Sequence, residues 1–218
     1  MYRSMIFLDN NSTTKLDERV LKCMLPFLKE NFGNPHSNFH LYGKNANYAL
    51  EESRDKIGNL FDVESENVVF TSGATESNNL FIKGAMLKAI QNKNNRRKIF
   101  CSSIEHKCVL ESFEFCKKYG FDVEHIPVNK LGQVDIEWLE KKTDDKTFLI
   151  SVMAVNNETG IRTNLEEINK ICKQKGILFH SDMAQALLGQ KYNLSELDID
   201  AISISGHKIY GPKGVGAL

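Results

Sequence analysis

Five runs of polar, hydrogen-bonding residues each follow a short apolar stretch of this 218-residue chain. They are Thr71-Ser72-Gly73-Ala74-Thr75, then Ile104-Glu105-His106-Lys107, Asn156-Asn157-Glu158-Thr159-Gly160, His180 to Gln185, and Ser205 to Gly214. If the apolar stretches are parallel strands, these runs all lie at carboxyl ends, where α/β sheets bind ligands. Each has an ordinary reading when taken alone. Thr71 to Thr75 suits a plain N-capped helix start as well as an anion site. Asp182 suits a helix N-cap, and His106 a capping or otherwise satisfied polar histidine. A lone lysine is normally a surface residue. Lys208, however, sits between a strand and a Gly/Pro-rich turn beside Ser205 and His207, where a solvated lysine has no obvious reason to be. Pyridoxal phosphate (PLP) needs such a set: an amine for an imine, a carboxylate against the pyridine nitrogen, a donor for the phenolic oxygen and several donors for phosphate.

The elements that must position these groups alternate. Strands are predicted at 67–71, 98–102, 121–128, 147–155, 177–181 and 200–205. Helices are predicted at 74–90, 107–119, 136–140 and 165–174, with a turn at 130–132. Two amphipathic helices, 17–30 and 48–61, precede them, the first capped by Asp17 with apolar Val20, Met24, Phe27 and Leu28. In helix 74–90 the apolar side is expected around Leu80, Phe81, Gly84, Ala85, Met86 and Leu87. The pattern predicts an α/β fold, a mostly parallel sheet with helices on both faces. Gly214 to Leu218 reads as the opening of a further strand, expected to be unpaired. An open apolar edge of that kind invites aggregation, so the sequence is expected to be a piece of a longer chain, truncated within its last strand.

Composition excludes several classes. Lys plus Arg and Asp plus Glu balance at 28 each, so no overall field draws the chain to nucleic acid or an acidic membrane surface. The basic cluster Arg96-Arg97-Lys98 reads as a solvated loop. Five cysteines, odd in number and without C-x-x-C spacing, form neither a disulfide framework nor a zinc site, and no metal is expected. They point to a reducing compartment, by default the cytoplasm. The run Met5-Ile6-Phe7-Leu8 is too short for a signal peptide or a membrane span.

The run Ser205-Gly206-His207-Lys208-Ile209-Tyr210-Gly211-Pro212-Lys213-Gly214 resembles the PLP-lysine motif of cysteine desulfurases, in the class V aminotransferase group of fold-type I enzymes. The likeness extends in order through Phe7 to Thr14, Gly33-Asn34-Pro35 with Ser37, His40 and Gly43, Thr71 to Ser77, Glu105-His106, Val155 to Gly160, and Asp182 with Gln185. The wording resembles the branch that supplies sulfur for iron–sulfur clusters. The resemblance implies that Lys208 forms the Schiff base with PLP and later moves the substrate Cα proton. It implies that Asp182 holds the pyridine nitrogen protonated, Gln185 donates to the phenolic oxygen and Asn157 contacts the ring region. His106 is implied to stack on the ring and serve as acid or base, and Ala74, Thr75, Ser205 and His207 to bind the phosphate. The implied reaction takes L-cysteine to L-alanine, an enzyme thiolate taking the sulfur as a persulfide for an acceptor or scaffold protein.

In that family the persulfide cysteine and a carboxylate-binding arginine lie well beyond the PLP lysine, in a C-terminal small domain. None of the five cysteines here falls in a matching motif. Cys108, two positions after His106, is expected to pack in a core. The expected layout is an N-terminal segment 1–15, an incomplete PLP-binding domain 16–218 and no small domain. The family works as a homodimer. Two other readings share these residues: a non-catalytic remnant, and another class V PLP lyase or transaminase, against which the Asn156 to Gly160 wording argues. The chain by itself is expected not to turn over L-cysteine.

Overall fold

Successive side chains of a strand point to opposite faces, so apolar runs without polar alternation must be covered on both sides. In the computed structural model, which describes residues 6–188 and 192–218, four strands are buried on both faces, β2 (Lys98–Ser102), β4 (Thr147–Ser151), β5 (Leu178–Asp182) and β6 (Ala201–Ser205), while β3 (Asp122–Ile126) forms a largely uncovered edge. Met5 and the rest of residues 1–5 lie outside the described residues. With β1 (Phe70–Thr71) and β7 (Gly216–Ala217) the strands form a seven-stranded sheet of order β1-β7-β6-β5-β4-β2-β3. The β6-β5-β4-β2-β3 pairings are parallel, and β7 runs antiparallel to both neighbours. The expected mostly parallel α/β sheet is therefore present.

Two apolar layers follow from the alternation. Phe100, Ile150 and Phe179 pack on one face with Leu139 of α5 (Ile136–Lys142) and Ile168 and Cys172 of α6 (Leu165–Lys175). Ile99, Cys101 and Leu149 pack on the other with Ile82 and Met86 of α3 (Ala74–Gln91) and Val109 and Phe113 of α4 (Lys107–Lys117). On α3 the buried stripe is Ser77, Asn78, Ile82, Met86 and Ala89. Leu80, Gly84 and Leu87, expected inside, are exposed, because the helix turns a face with two polar residues toward the sheet ends. The helix α1 (Glu18–Lys29) is capped by Asp17 as expected but buries none of its residues. The helix α2 (Leu41–Phe61) starts earlier than its periodicity suggests, at a His40 cap whose Nδ1 accepts from Gly43 N at 3.0 Å. A short α7 (Leu194–Leu197) precedes β6. Among the described residues no helix is long and apolar enough to cross a membrane.

Three expectations are corrected. The predicted strand 67–71 shrinks to Phe70–Thr71, since Ser65–Asn67 close a single 3-10 turn. The predicted strand 147–155 is regular only over Thr147–Ser151: Val152 N and Ala154 N still donate to His180 O and Asp182 O, but Met153 N, on the side of β2, donates to the Glu105 carboxyl at 2.6 Å. The basic cluster is no solvated loop. Arg96 reaches the carbonyls of Lys175 and Gly176 at the end of α6, Arg97 stacks on Phe121, and Lys98 belongs to β2.

The chain end is the fourth and largest correction. Gly216–Ala217 is not an unpaired half-strand but lies inside the sheet, flanked by β1 and β6. Leu218 and Val69 exchange two further backbone hydrogen bonds at 2.8 Å. Only glycine fits at 216, because a Cβ there would lie 2.6 Å from both Gly73 Cα and Ile204 O. Gly216→Ala is therefore expected to lower stability by about 1–3 kcal/mol through overpacking. Gly84→Ala, with open space around the added methyl on an exposed helix position, should raise it by roughly 0.5–1 kcal/mol. Urea unfolding midpoints of the two variants check the opposite signs.

Candidate active site

The close approach of Gly216 to Gly73 sets the start of α3 against the end of β6. Gly73 brings no capping side chain to this helix start, so first-turn N–H groups face the space beyond the sheet ends. A helix start of this kind attracts anions. Glu76, in the same turn, is held aside by Ser72, whose N and Oγ donate to its Oε2 at 2.7 and 2.6 Å. Those bonds keep its carboxyl below the ordinary range.

A cavity of about 730 Å³ opens here, and all nine sequence-predicted site residues line it. Ala74 and Thr75 come from α3, His106 from the cap of α4, and Asn157 from the loop after β4. Asp182 and Gln185 come from the end of β5 and its loop, and Ser205, His207 and Lys208 from the end of β6 and its 3-10 turn. The volume suits a cofactor-sized ligand.

Asp182 is 5% exposed and carries two N–H donors. Ala184 N donates to Oδ1 at 2.9 Å and Asn78 Nδ2 to Oδ2 at 2.7 Å. Burial pushes its carboxyl up; the Ala184 and Asn78 bonds, with His106 and Lys208 nearby, pull it back. Asp182 thus does cap the turn that follows it, yet it also faces the cavity. His106 likewise fills both roles. It caps α4, accepting from Cys108 N at 3.2 Å through Nδ1, which leaves its ring proton on Nε2. Burial lowers the Lys208 amine below its ordinary value, against the opposing charges of Asp182 and Asp9, and so favours the neutral, nucleophilic form. Burial likewise lowers His207, helped by Lys208 and Lys213.

Sequence reasoning missed three contributors. Residues 11–17 form a strap across the site. Asn11 O accepts from Lys208 Nζ at 2.5 Å and from Gln185 Nε2 at 2.6 Å, and Asn11 Nδ2 donates to Asn157 O at 3.0 Å. Thr14 N and Oγ1 both donate to His207 O at 2.9 Å, and Tyr210 N donates to Thr14 Oγ1 at 2.7 Å. Glu105, flagged only by its place beside His106, is buried and braces the ends of β2 and β4. Its Oε1 accepts from Ser102 Oγ at 2.7 Å and from Met153 N, and burial pushes its carboxyl up to about 8. Asn78 had one available signal, a polar residue on the buried stripe of α3. Cys108, expected in a core, stands half-buried on the cavity wall, 3.0 Å from His106 Nδ1 and 3.2 Å from Asn78 Nδ2. Burial raises its thiol, which disfavours the thiolate.

The donor set fits PLP. It offers a helix start and hydroxyls for an anion, a lysine shifted toward the free amine, and a buried carboxylate that a protonated pyridine nitrogen would neutralise.

Comparison with known proteins agrees with the geometry. The family model described as aminotransferase class-V matches residues 6–218. The "Cysteine desulfurase IscS" of Rickettsia bellii is 48% identical over 213 residues, covering 98% of this chain and 51% of that protein. The "Probable cysteine desulfurase, mitochondrial" of Dictyostelium discoideum is 46% identical, covering 98% of this chain and 47% of that protein. Among solved structures, one titled "NIFS-LIKE PROTEIN" superposes with a TM-score of 0.92 at 40% identity, over 97% of this chain and 57% of the other. One titled "SspA in complex with cysteine" gives 0.92 at 36% identity, over 98% and 60%. The chain spans about half the length of the curated relatives it matches. The nine residues singled out from motifs line one cavity, and the family model matches nearly the whole chain: the chain belongs to the class V aminotransferases.

Proposed function

We propose that the chain holds PLP and forms the cofactor-binding part of a cysteine desulfurase that converts L-cysteine to L-alanine and passes the sulfur on for iron–sulfur cluster or thio-cofactor assembly. The observation that carries this reading is the convergence of Lys208 and Asp182 on one cavity that also contains the start of α3. When bound, PLP supplies an electron sink for bonds at the Cα of an amino acid.

The roles proposed for this chain's residues are those that the resemblance implies. Lys208 binds the cofactor covalently and moves the Cα proton, tasks its lowered amine pKa favours. Asp182 holds a proton on the ring nitrogen, and Gln185 donates to the phenolic oxygen. Ala74 and Thr75, with Ser205 and His207, bind phosphate at the helix start. Asn157 contacts the ring region, and His106 covers a ring face with Nε2–H available as a proton donor. Residues 16–218 would then be the large cofactor domain and 1–15 an N-terminal segment, of which residues 11–14 lie over the site. A homodimer, L-cysteine as substrate, a sulfur-acceptor protein and a cytoplasmic location complete the proposal. Five free thiols support a reducing compartment, and named relatives include mitochondrial and mitosomal proteins as well as bacterial ones.

Sulfur transfer needs a reactive thiolate, and Cys108, with its raised pKa and two hydrogen-bond neighbours, is poorly suited to be one. The PLP-loaded 218-residue chain is therefore expected to change its visible absorption on adding L-cysteine, yet to release sulfide no faster than free PLP does. Steady sulfide and alanine production that is lost in Lys208→Ala would overturn this division of labour. No spectral response to PLP or L-cysteine would overturn the proposed function.

A further inference from the structure

Asn78 is fully buried on α3, one turn after the helix start. Its Nδ2 donates to Asp182 Oδ2 at 2.7 Å and also lies 3.2 Å from Cys108 Sγ, which in turn lies 3.0 Å from His106 Nδ1. Its Oδ1 is buried with no hydrogen-bond partner. An amide oriented for its own satisfaction would not leave its buried oxygen without a protein partner among the described residues. The orientation is explained by the neighbour instead. An ionised carboxylate can only accept, so the amide nitrogen must face it and the oxygen is left over.

With Ala184 N on Oδ1, each oxygen of Asp182 then has one N–H donor, which opposes the penalty for burying charge. The other charged or titratable groups near Asp182 are His106 and Lys208, which favour its charged form, and Cys108 and Glu105.

We propose that Asn78 is a positioning residue that keeps Asp182 ionised and aimed at the ring nitrogen of the cofactor, and links that carboxylate through Cys108 to His106. This rests on the reading of the cavity as a PLP site. Asn78 touches neither cofactor nor substrate in this role and acts through Asp182.

The test has one readout that needs no cofactor. The Asp182 carboxyl is titrated by 13C NMR in the cofactor-free chain, its signal identified by loss in Asp182→Asn. In Asn78→Ala the midpoint should rise by at least about one unit, the size expected for losing a hydrogen bond to a charged group. In Asn78→Asp, nearly the same shape, two carboxyls would meet at hydrogen-bond distance and should share a proton, titrating in two separated steps. The second readout is the PLP dissociation constant, expected to rise about tenfold in Asn78→Ala while borohydride still fixes PLP to Lys208. A folded Asn78→Ala chain with either quantity unchanged overturns the proposal. If that variant does not fold, independent titration of the two carboxyls in Asn78→Asp overturns it. Failure of the unmutated chain to fix PLP on Lys208 instead sinks the cofactor reading, while the NMR midpoints still decide whether Asn78 controls Asp182.

Discussion

Lys208→Ala should abolish the borohydride-fixed attachment of PLP to this chain. The side chain makes one hydrogen bond, Nζ to Asn11 O, while the backbone of its turn is held separately by Thr14 and by Gly206. Removing the side chain therefore leaves the fold in place and takes away the amine alone. Lys213, the other cavity lysine among the described residues, provides the control, since Lys213→Ala should keep full labelling. Exchange of the Cα proton of a bound amino acid with heavy water should fall by about 10²- to 10⁴-fold in Lys208→Ala, the usual contribution of a positioned general base. Mass spectrometry of borohydride-treated digests reads the label. Label on Lys213, or anywhere else in preference to Lys208, would refute the assignment.

Stability of the cofactor-free chain should form a plateau between about pH 4.5 and 6.5 and fall on both sides. Two buried groups set the limits. His180 is fully buried between Ser151 Oγ, 2.8 Å from Nδ1, and Ser203 Oγ, 3.0 Å from Nε2, with Phe81 stacked on its ring at 5.0 Å. Burial lowers it from 6.5 to about 3, so the unfolded chain takes up a proton that the folded one refuses. Its effect is a loss of stability as pH falls from 6.5 toward 3. Burial raises Glu105 from 4.5 to about 8, so the folded chain keeps a proton that the unfolded one releases. That loss grows as pH rises from 4.5 to 8. Each group contributes a slope of about 1.4 kcal/mol per pH unit in its window, up to roughly 5 kcal/mol in all. The slopes oppose one another where the windows overlap, which produces the plateau. Asp182, also raised by burial, adds a loss of the same sign as that of Glu105, which begins as pH rises through its ordinary value. Urea unfolding across pH 3–9 measures the profile. Glu105→Gln should flatten the limb between pH 6.5 and 8 and leave the acid limb intact. An unchanged alkaline slope in that variant would show that Glu105 does not hold its proton in the fold.

The local elements were largely legible because their causes are local. The strand 98–102 and the helix starts at Ala74, Lys107, Ile136 and Leu165 stand where apolar runs, β-branched residues and capping side chains put them. The helix ends and the flanks of the remaining strands were less certain. They stop where a backbone group finds a distant partner, as Met153 N does with Glu105.

The opening lysine motif, Asp182 and the polar runs were readable because PLP chemistry demands particular residue types in a strand-end context. What the sequence alone determined was therefore the inventory of groups and their order. Tertiary structure decided their surroundings. It carried the chain end into the middle of the sheet, where β1 and β6 satisfy both of its edges, so the open edge inferred from the sequence does not exist. It laid Asn11 against Lys208, 197 positions away, and Asn78 against Asp182, 104 away. Nothing in a linear pattern marks such contacts, because they arise only when the crossovers of a parallel sheet bring distant strand ends together. Burial at that meeting point then lowers the pKa of the amine and raises that of the carboxyl, a property that depends on the surrounding fold and on no residue by itself.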